Sequence, residues 1–155
     1  MLVQLDYCNG VLAGLPASQL SRLQSVLHAA ARLIYGVRRY DHVTPLLQHL
    51  HWLSVPERVT FKLCIMVYHC LHGTGPEYFS EDFRLVSEIY SRQRLHLASS
   101  TNVVVPATSR SSLGGCAFTG ARAWNALPAS VNSTPSLSSF QRLLKTFLFQ
   151  RQRRQ

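Results

Sequence analysis

Acidic side chains are scarce in this chain. Across 155 residues, 7 Asp plus Glu stand against 16 Lys plus Arg, a formal net charge of +9. The only aspartates are Asp6, Asp41 and Asp82, far apart along the sequence. Two-metal polymerase or nuclease chemistry needs carboxylates clustered to hold ions about 4 Å apart, and that scattering argues against it. The nearest cluster, Glu77, Glu81 and Asp82, has the character of a solvated acidic turn. A phosphate-cradling loop is also missing, because Gly114-Gly115 is not followed by Lys-Ser or Lys-Thr. Long apolar runs are absent: the longest, Leu63 to Tyr68, has six residues, against roughly 18–20 for a membrane span. The opening MLVQLDYCNG carries Asp6 and no cation ahead of its apolar residues, unlike a secretory signal. No repeat with a period of about 20–50 residues is present.

Cysteine is sparse. Cys8, Cys64 and Cys70 lie in apolar helical patterns, and Cys116 follows Gly114-Gly115, where it alone is placed to sit on a turn. Without a secretory signal, these thiols are expected to be reduced core residues of an intracellular protein, nuclear or cytoplasmic. A nucleophilic cysteine needs an exposed, low-pKa thiol and an orienting partner, and no such set stands out. Seven histidines raise the question of metal. His69 and His72 are three apart and Cys64 is five before His69, but ligands strung along one helix do not converge on a tetrahedral ion. His49 and His51 flank a single leucine and would point apart on a helix. The expectation is no metal, no cofactor, no small-molecule substrate and no catalytic residue.

What is present is arginine and helical periodicity. All but two of the cations, Lys62 and Lys145, are arginines. The guanidinium fork pairs bidentately with phosphate and stacks on bases, which favours an acidic polymer as partner. Residues 2–13 have the look of a short helix, and its abrupt start suggests protein missing upstream. Ser18 is placed to cap a helix over 19–35, whose Leu20, Leu23, Leu27, Ala30, Ala31 and Ile34 share one face. Thr44-Pro45 is a cap-plus-proline start for a helix over 45–51. A third helix, about 56–72, is apolar on most sides, as expected of a buried central helix. After a weakly patterned stretch, the β-branched run Asn102–Val105 is expected to pair with Cys116–Phe118 in a small hairpin. A helical turn over 119–127 follows. Thr134-Pro135 repeats the cap signal before a helix over 135–149.

The expected fold is mainly α: a bundle-like N-terminal unit with a small β-hairpin plus a C-terminal helix. The expected organisation is 1–35, then a helical unit 36–90, a Ser-rich linker 91–114, and a small unit 115–155. That last unit ends in an amphipathic helix and a basic fringe of Arg151, Arg153 and Arg154. On the third helix Arg58, Lys62, His69 and His72 share a face, and Arg38-Arg39 follow the first long helix. Arg38, Arg39, Arg58 and Lys62 are therefore the candidate contacts to RNA or DNA phosphates, with Tyr35, Tyr40 and Tyr68 available for stacking. The same cations equally fit the solvated face of a buried helix.

Several phrases carry a resemblance. They are LDYCNGVLAGLP at 5–16, LSRLQSVLHAAARLI at 20–34, YDHVTPLLQHLHWLSVPERVTFKLC at 40–64 and VYHCLHGTGPEYFSEDF at 67–83. SRQRLHLASS at 91–100, FTGARAWNALPASV at 118–131 and SLSSFQRLLKTFLF at 136–149 continue the series. In order and spacing they resemble the region downstream of the catalytic core in LINE-type, non-LTR, jockey-like retrotransposon reverse transcriptases. The resemblance implies that 5–35 is the end of the helical thumb, which grips the primer-template duplex. The remainder would be the C-terminal domain that helps hold template RNA and target DNA. The palm's aromatic-Ala-Asp-Asp motif, the endonuclease residues and the family's C-terminal cysteine-histidine knuckle are unmatched, so no catalytic residue carries over. Met1 is expected to stand where upstream protein was lost, as in an open reading frame translated from a decayed genomic copy. Three functional readings follow. One is a non-catalytic nucleic-acid-binding fragment. A second is a translated relic without selected activity. The third is a protein-interaction module, or a self-associating chain, that uses apolar surface left by the missing palm.

Overall fold

The computed structural model describes residues 12–75, 83–88, 101–105 and 118–153. The fold is mainly helical. Among the described residues the α-helices are α1 (Ala17–Tyr35), α2 (Thr44–His49), α3 (Val55–Leu71), α4 (Thr119–Asn125), α5 (Ala129–Asn132) and α6 (Leu137–Gln152). A 3-10 turn, Val86–Glu88, lies between α3 and α4. None of these helices is long and apolar enough to cross a membrane.

The helix ends follow local chemistry, with some shifts from expectation. α1 starts after Pro16 rather than on a Ser18 cap, and it closes on Gly36 at φ +63°. That left-handed geometry lets the Gly36 and Val37 N–H groups bond the last turn, and it suits a residue without Cβ. Thr44 is the first residue of α2 rather than its cap. The cap of α6 is Ser136, whose Oγ accepts from Ser139 N, whereas the Thr134 hydroxyl donates to the Val131 carbonyl. The helix expected over 2–13 falls largely outside the described residues, and Leu12–Gly14 form a turn.

The small hairpin is not part of the described fold. Val103 forms an isolated antiparallel bridge with Leu85. Phe118 instead sits at the N-terminus of α4, and residues 116 and 117 lie outside the described residues. The bridge is held from the other side by Asn125, whose Oδ1 accepts from Val103 N and whose Nδ2 donates to Val103 O, both at 2.8 Å. The Asn125 amide thus does the work of a second strand.

Two apolar clusters form the interior. The larger joins α3 to α4, α5 and α6 through Cys64, Val67, Tyr68, Trp124, Phe140 and Leu144. Tyr68 and Phe140 stack at 4.6 Å, and Trp124 lies 5.5 Å from Phe140. Gly120 permits the close approach of α4 to α3: a Cβ there would meet Val67 Cγ2 at 3.3 Å. The smaller cluster joins α1 and α2 to the start of α3 through Leu27, Ala31, Val43, Leu47 and Val55. The composition change at 91–114 therefore does not divide two cores, because residues of 53–71 and 119–148 share one. Ile34, expected on the core face of α1, is exposed.

The N-terminus of α3 is the joint between the clusters. Its unpaired N–H groups receive no bond from the Ser54 side chain. Ser54 N instead donates to Gln152 Oε1 of α6, and Val55 N to Gln24 Oε1 of α1. Two distant glutamines thus satisfy the orphan donors of a helix start. Glu57, in the same first turn, is buried and bidentate with Arg151 of α6.

Candidate nucleic-acid interface

Arg58 and Lys62 stand one turn apart on α3, so they project from the same side. They line one shallow depression of about 190 Å³ together with His51, Leu53, Phe61 and Lys145. Lys145 comes from α6 and is brought there by the packing of α6 on α3 through the larger core. A second depression, about 320 Å³, lies alongside and is lined by Gln48, His51, Thr146, Phe149, Gln150 and Arg153. His51 belongs to both, and Lys145 and Thr146 are neighbours on α6. The two form a basic trough between the α2–α3 turn and α6.

His51 is held at the junction by its backbone. It is the only non-glycine residue with positive φ among the described residues, at 54°. Its N–H donates to the Gln48 carbonyl and its Nδ1 to the His49 carbonyl. Left-handed backbone at a residue with Cβ costs roughly 1–2 kcal/mol, which the surrounding bonds offset. Lys145 Nζ lies 5.9 Å from the Phe149 ring centroid, a cation–π distance. Phe61 and Phe149 therefore bring aromatic carbon to a trough whose charge is positive.

Among the described residues no carboxylate lines the trough. Glu57, close by in sequence to Arg58, turns inward to Arg151, with Arg151 Nη2 2.7 Å from Glu57 Oε2. Arg151 is thus committed to the fold and is not part of a basic fringe. Of that expected fringe, Arg153 lines the trough and Arg154 lies outside the described residues.

The remaining expected site residues lie elsewhere. Arg38 is exposed in the turn after α1, where its N–H donates to Asp41 Oδ2 at 2.8 Å. Arg39 lines a separate depression along the end of α1, with His28 and Arg32. Tyr35 and Tyr40 are exposed, but Tyr68 is buried between Phe140 and His72 and is not available for stacking on a base. His69 Nδ1 lies 2.7 Å from Thr74 Oγ1, and His72 Nδ1 donates to the Tyr68 carbonyl. Both histidines thereby close the end of α3 and are absent from the trough lining. Burial pushes the Cys64 thiol up to about 12, against the opposing charge of Arg151, and raises that of Cys70.

Lys145, His51 and Arg153 were not legible as site residues. The signal that existed was the polar position of Lys145 within an otherwise apolar helix; its juxtaposition with Lys62 depends on how α6 crosses α3. No family model, curated protein or solved structure matches this chain.

Proposed function

We propose that this chain binds the phosphate backbone of a nucleic acid, without catalysis, through the trough between α3 and α6. The observation that carries the reading is the convergence of Arg58, Lys62, Lys145 and His51, from three segments, on one depression. Phosphate binding needs cations held on rigid elements and little else. Phe61 and Phe149, partly buried against the larger core, add apolar carbon to the lining. The resemblance of the chain's phrases to the region downstream of the catalytic core in LINE-type reverse transcriptases points the same way. In that setting the trough contributes grip on RNA or DNA, and the chemistry belongs to domains that this sequence does not match.

The test is a titration of the purified chain with labelled RNA and DNA oligonucleotides at two salt concentrations. Binding that weakens steeply with salt supports the reading. Salt-independent binding, or none at low salt, contradicts it. Primer extension with magnesium or manganese is expected to stay at the level of a heat-killed control.

A further inference from the structure

The outer face of α1 is a second surface, with different chemistry. Arg22, Val26, Ala29, Leu33 and Gly36 follow one another at alternating spacings of four and three residues, which places them in one stripe along the helix. Leu33 is 84% exposed and Val26 49%. Ala29 and Gly36 are small, and nothing lies within 4 Å of a Cβ built at Gly36. The stripe borders an open groove of about 850 Å³ lined by Ala29, Leu33 and Val37, by the cationic Arg32 and Arg39, and by the His28 ring. Neither Arg32 nor Arg39 pairs with a carboxylate of the described residues, and the buried Nε of Arg32 has no acceptor.

We propose that this face docks an acidic amphipathic helix of a partner protein. Its apolar side chains would lie on Val26, Ala29 and Leu33, and its carboxylates would meet Arg32 and Arg39. A helix fits because its own i, i+3, i+4, i+7 apolar positions match a stripe of that spacing, and the small residues allow close approach. Charge complementarity selects an acidic partner, since the charged residues of the lining, Arg32 and Arg39, are both cations. A second copy is disfavoured by the same charges: a two-fold pairing sets the stripe against itself and brings Arg22, Arg32 and Arg39 toward their own kind. A nucleic acid is disfavoured because the 84% exposed Leu33, with Ala29 and Val37 beside it, is matched by apolar side chains and not by phosphates. This site is independent of the trough.

The experiment uses the full chain and two fluorescein-labelled synthetic helical peptides. Both carry leucine at i, i+4, i+7 and i+11; one has glutamates on the flanking positions and the other lysines. Fluorescence anisotropy should show binding of the glutamate peptide and not of the lysine peptide. Leu33→Asp and Arg39→Glu, both at highly exposed positions that circular dichroism will confirm as folded, should each weaken the glutamate peptide by about tenfold or more. Arg39→Glu should in turn gain affinity for the lysine peptide. Arg58→Ala with Lys62→Ala should change nothing. Equal binding of both peptides, or indifference to Leu33→Asp, overturns the proposal. So does a dimer of the free chain that Leu33→Asp dissociates, which would make a second copy the occupant. Displacement of the peptide by a single-stranded oligonucleotide through Arg39 would also overturn it, by assigning the face to nucleic acid.

Discussion

Arg151 and Glu57, separated by 94 positions, form a bidentate pair: Arg151 Nε donates to Glu57 Oε1 at 3.1 Å and Nη2 to Oε2 at 2.7 Å. Glu57 is 2% exposed, whereas the Arg151 side chain keeps 37% of its surface. The pair ties the last turn of α6 to the first turn of α3, beside the bond from Ser54 N to Gln152 Oε1. It therefore holds α6, and with it Lys145, in place against Arg58 and Lys62.

Removing one partner should cost more than removing both. Arg151→Met leaves a buried carboxylate without its cation and is expected to destabilise the fold by about 3 kcal/mol. Glu57→Leu combined with Arg151→Met should cost clearly less, because no charge is stranded. Urea unfolding of Arg151→Met, Glu57→Leu alone and the double variant measures this. A double variant as unstable as the sum of the singles would show that the pair is not coupled.

Acid should loosen the joint between α1 and α3. Val55 N donates to Gln24 Oε1, which leaves the Gln24 amide to donate through Nε2 to His28 Nε2 at 2.7 Å. That nitrogen accepts only if the ring is neutral. Burial first, and the Arg32 charge second, hold the His28 pKa below its ordinary value of 6.5. The unfolded chain therefore takes up the proton at higher pH than the folded one. The contribution of His28 is present above about pH 6.5 and is lost as pH falls toward the lowered folded value. Thermal melts from pH 8 downward should show that loss, and His28→Gln should flatten it. An unchanged profile in His28→Gln would remove the histidine from the account.

Burial should also govern thiol reactivity. With its pKa pushed up to about 12 and its side chain at 0% exposure, Cys64 should resist iodoacetamide at pH 8 in the native chain and react in urea. Mass mapping of the alkylated sites checks this. Native labelling of Cys64 at the rate of a free thiol would mean that the α3–α6 core opens.

Much of the helical scaffold was legible, because it depends on local chemistry. The apolar spacing from Leu20 to Ala31 with Gly36 behind it marks α1, and Pro56 and Gly73 bracket α3 to within a residue or two. The ends misjudged were starts offering several neighbouring hydroxyls or prolines: α1 begins after Pro16 rather than on Ser18, and Ser136 rather than Thr134 caps α6. The expected hairpin is not supported among the described residues. β-branched residues at Val103–Val105 signal a strand but not its partner, and here a side-chain amide, Asn125, occupies one edge. Arg58 and Lys62 could be paired from helical spacing alone. Lys145 and Arg153 join them only through the crossing of α6 over α3, and nothing local distinguishes the paired Arg151 from its neighbour Arg153.

The most direct test of the central reading is the salt dependence of oligonucleotide binding in wild type and in Arg58→Ala/Lys62→Ala/Lys145→Ala. Each phosphate neutralised adds about 0.9 to the slope of log affinity against log salt on duplex DNA, and about 0.7 on a single strand. If the trough grips the backbone, the triple variant should bind more weakly to all sequences alike and lose roughly 2–3 units of slope on duplex. Arg38→Ala/Arg39→Ala, which lies outside the trough, should change both less. A triple variant that keeps its affinity and slope would contradict the account and leave these cations as the solvated face of a buried helix.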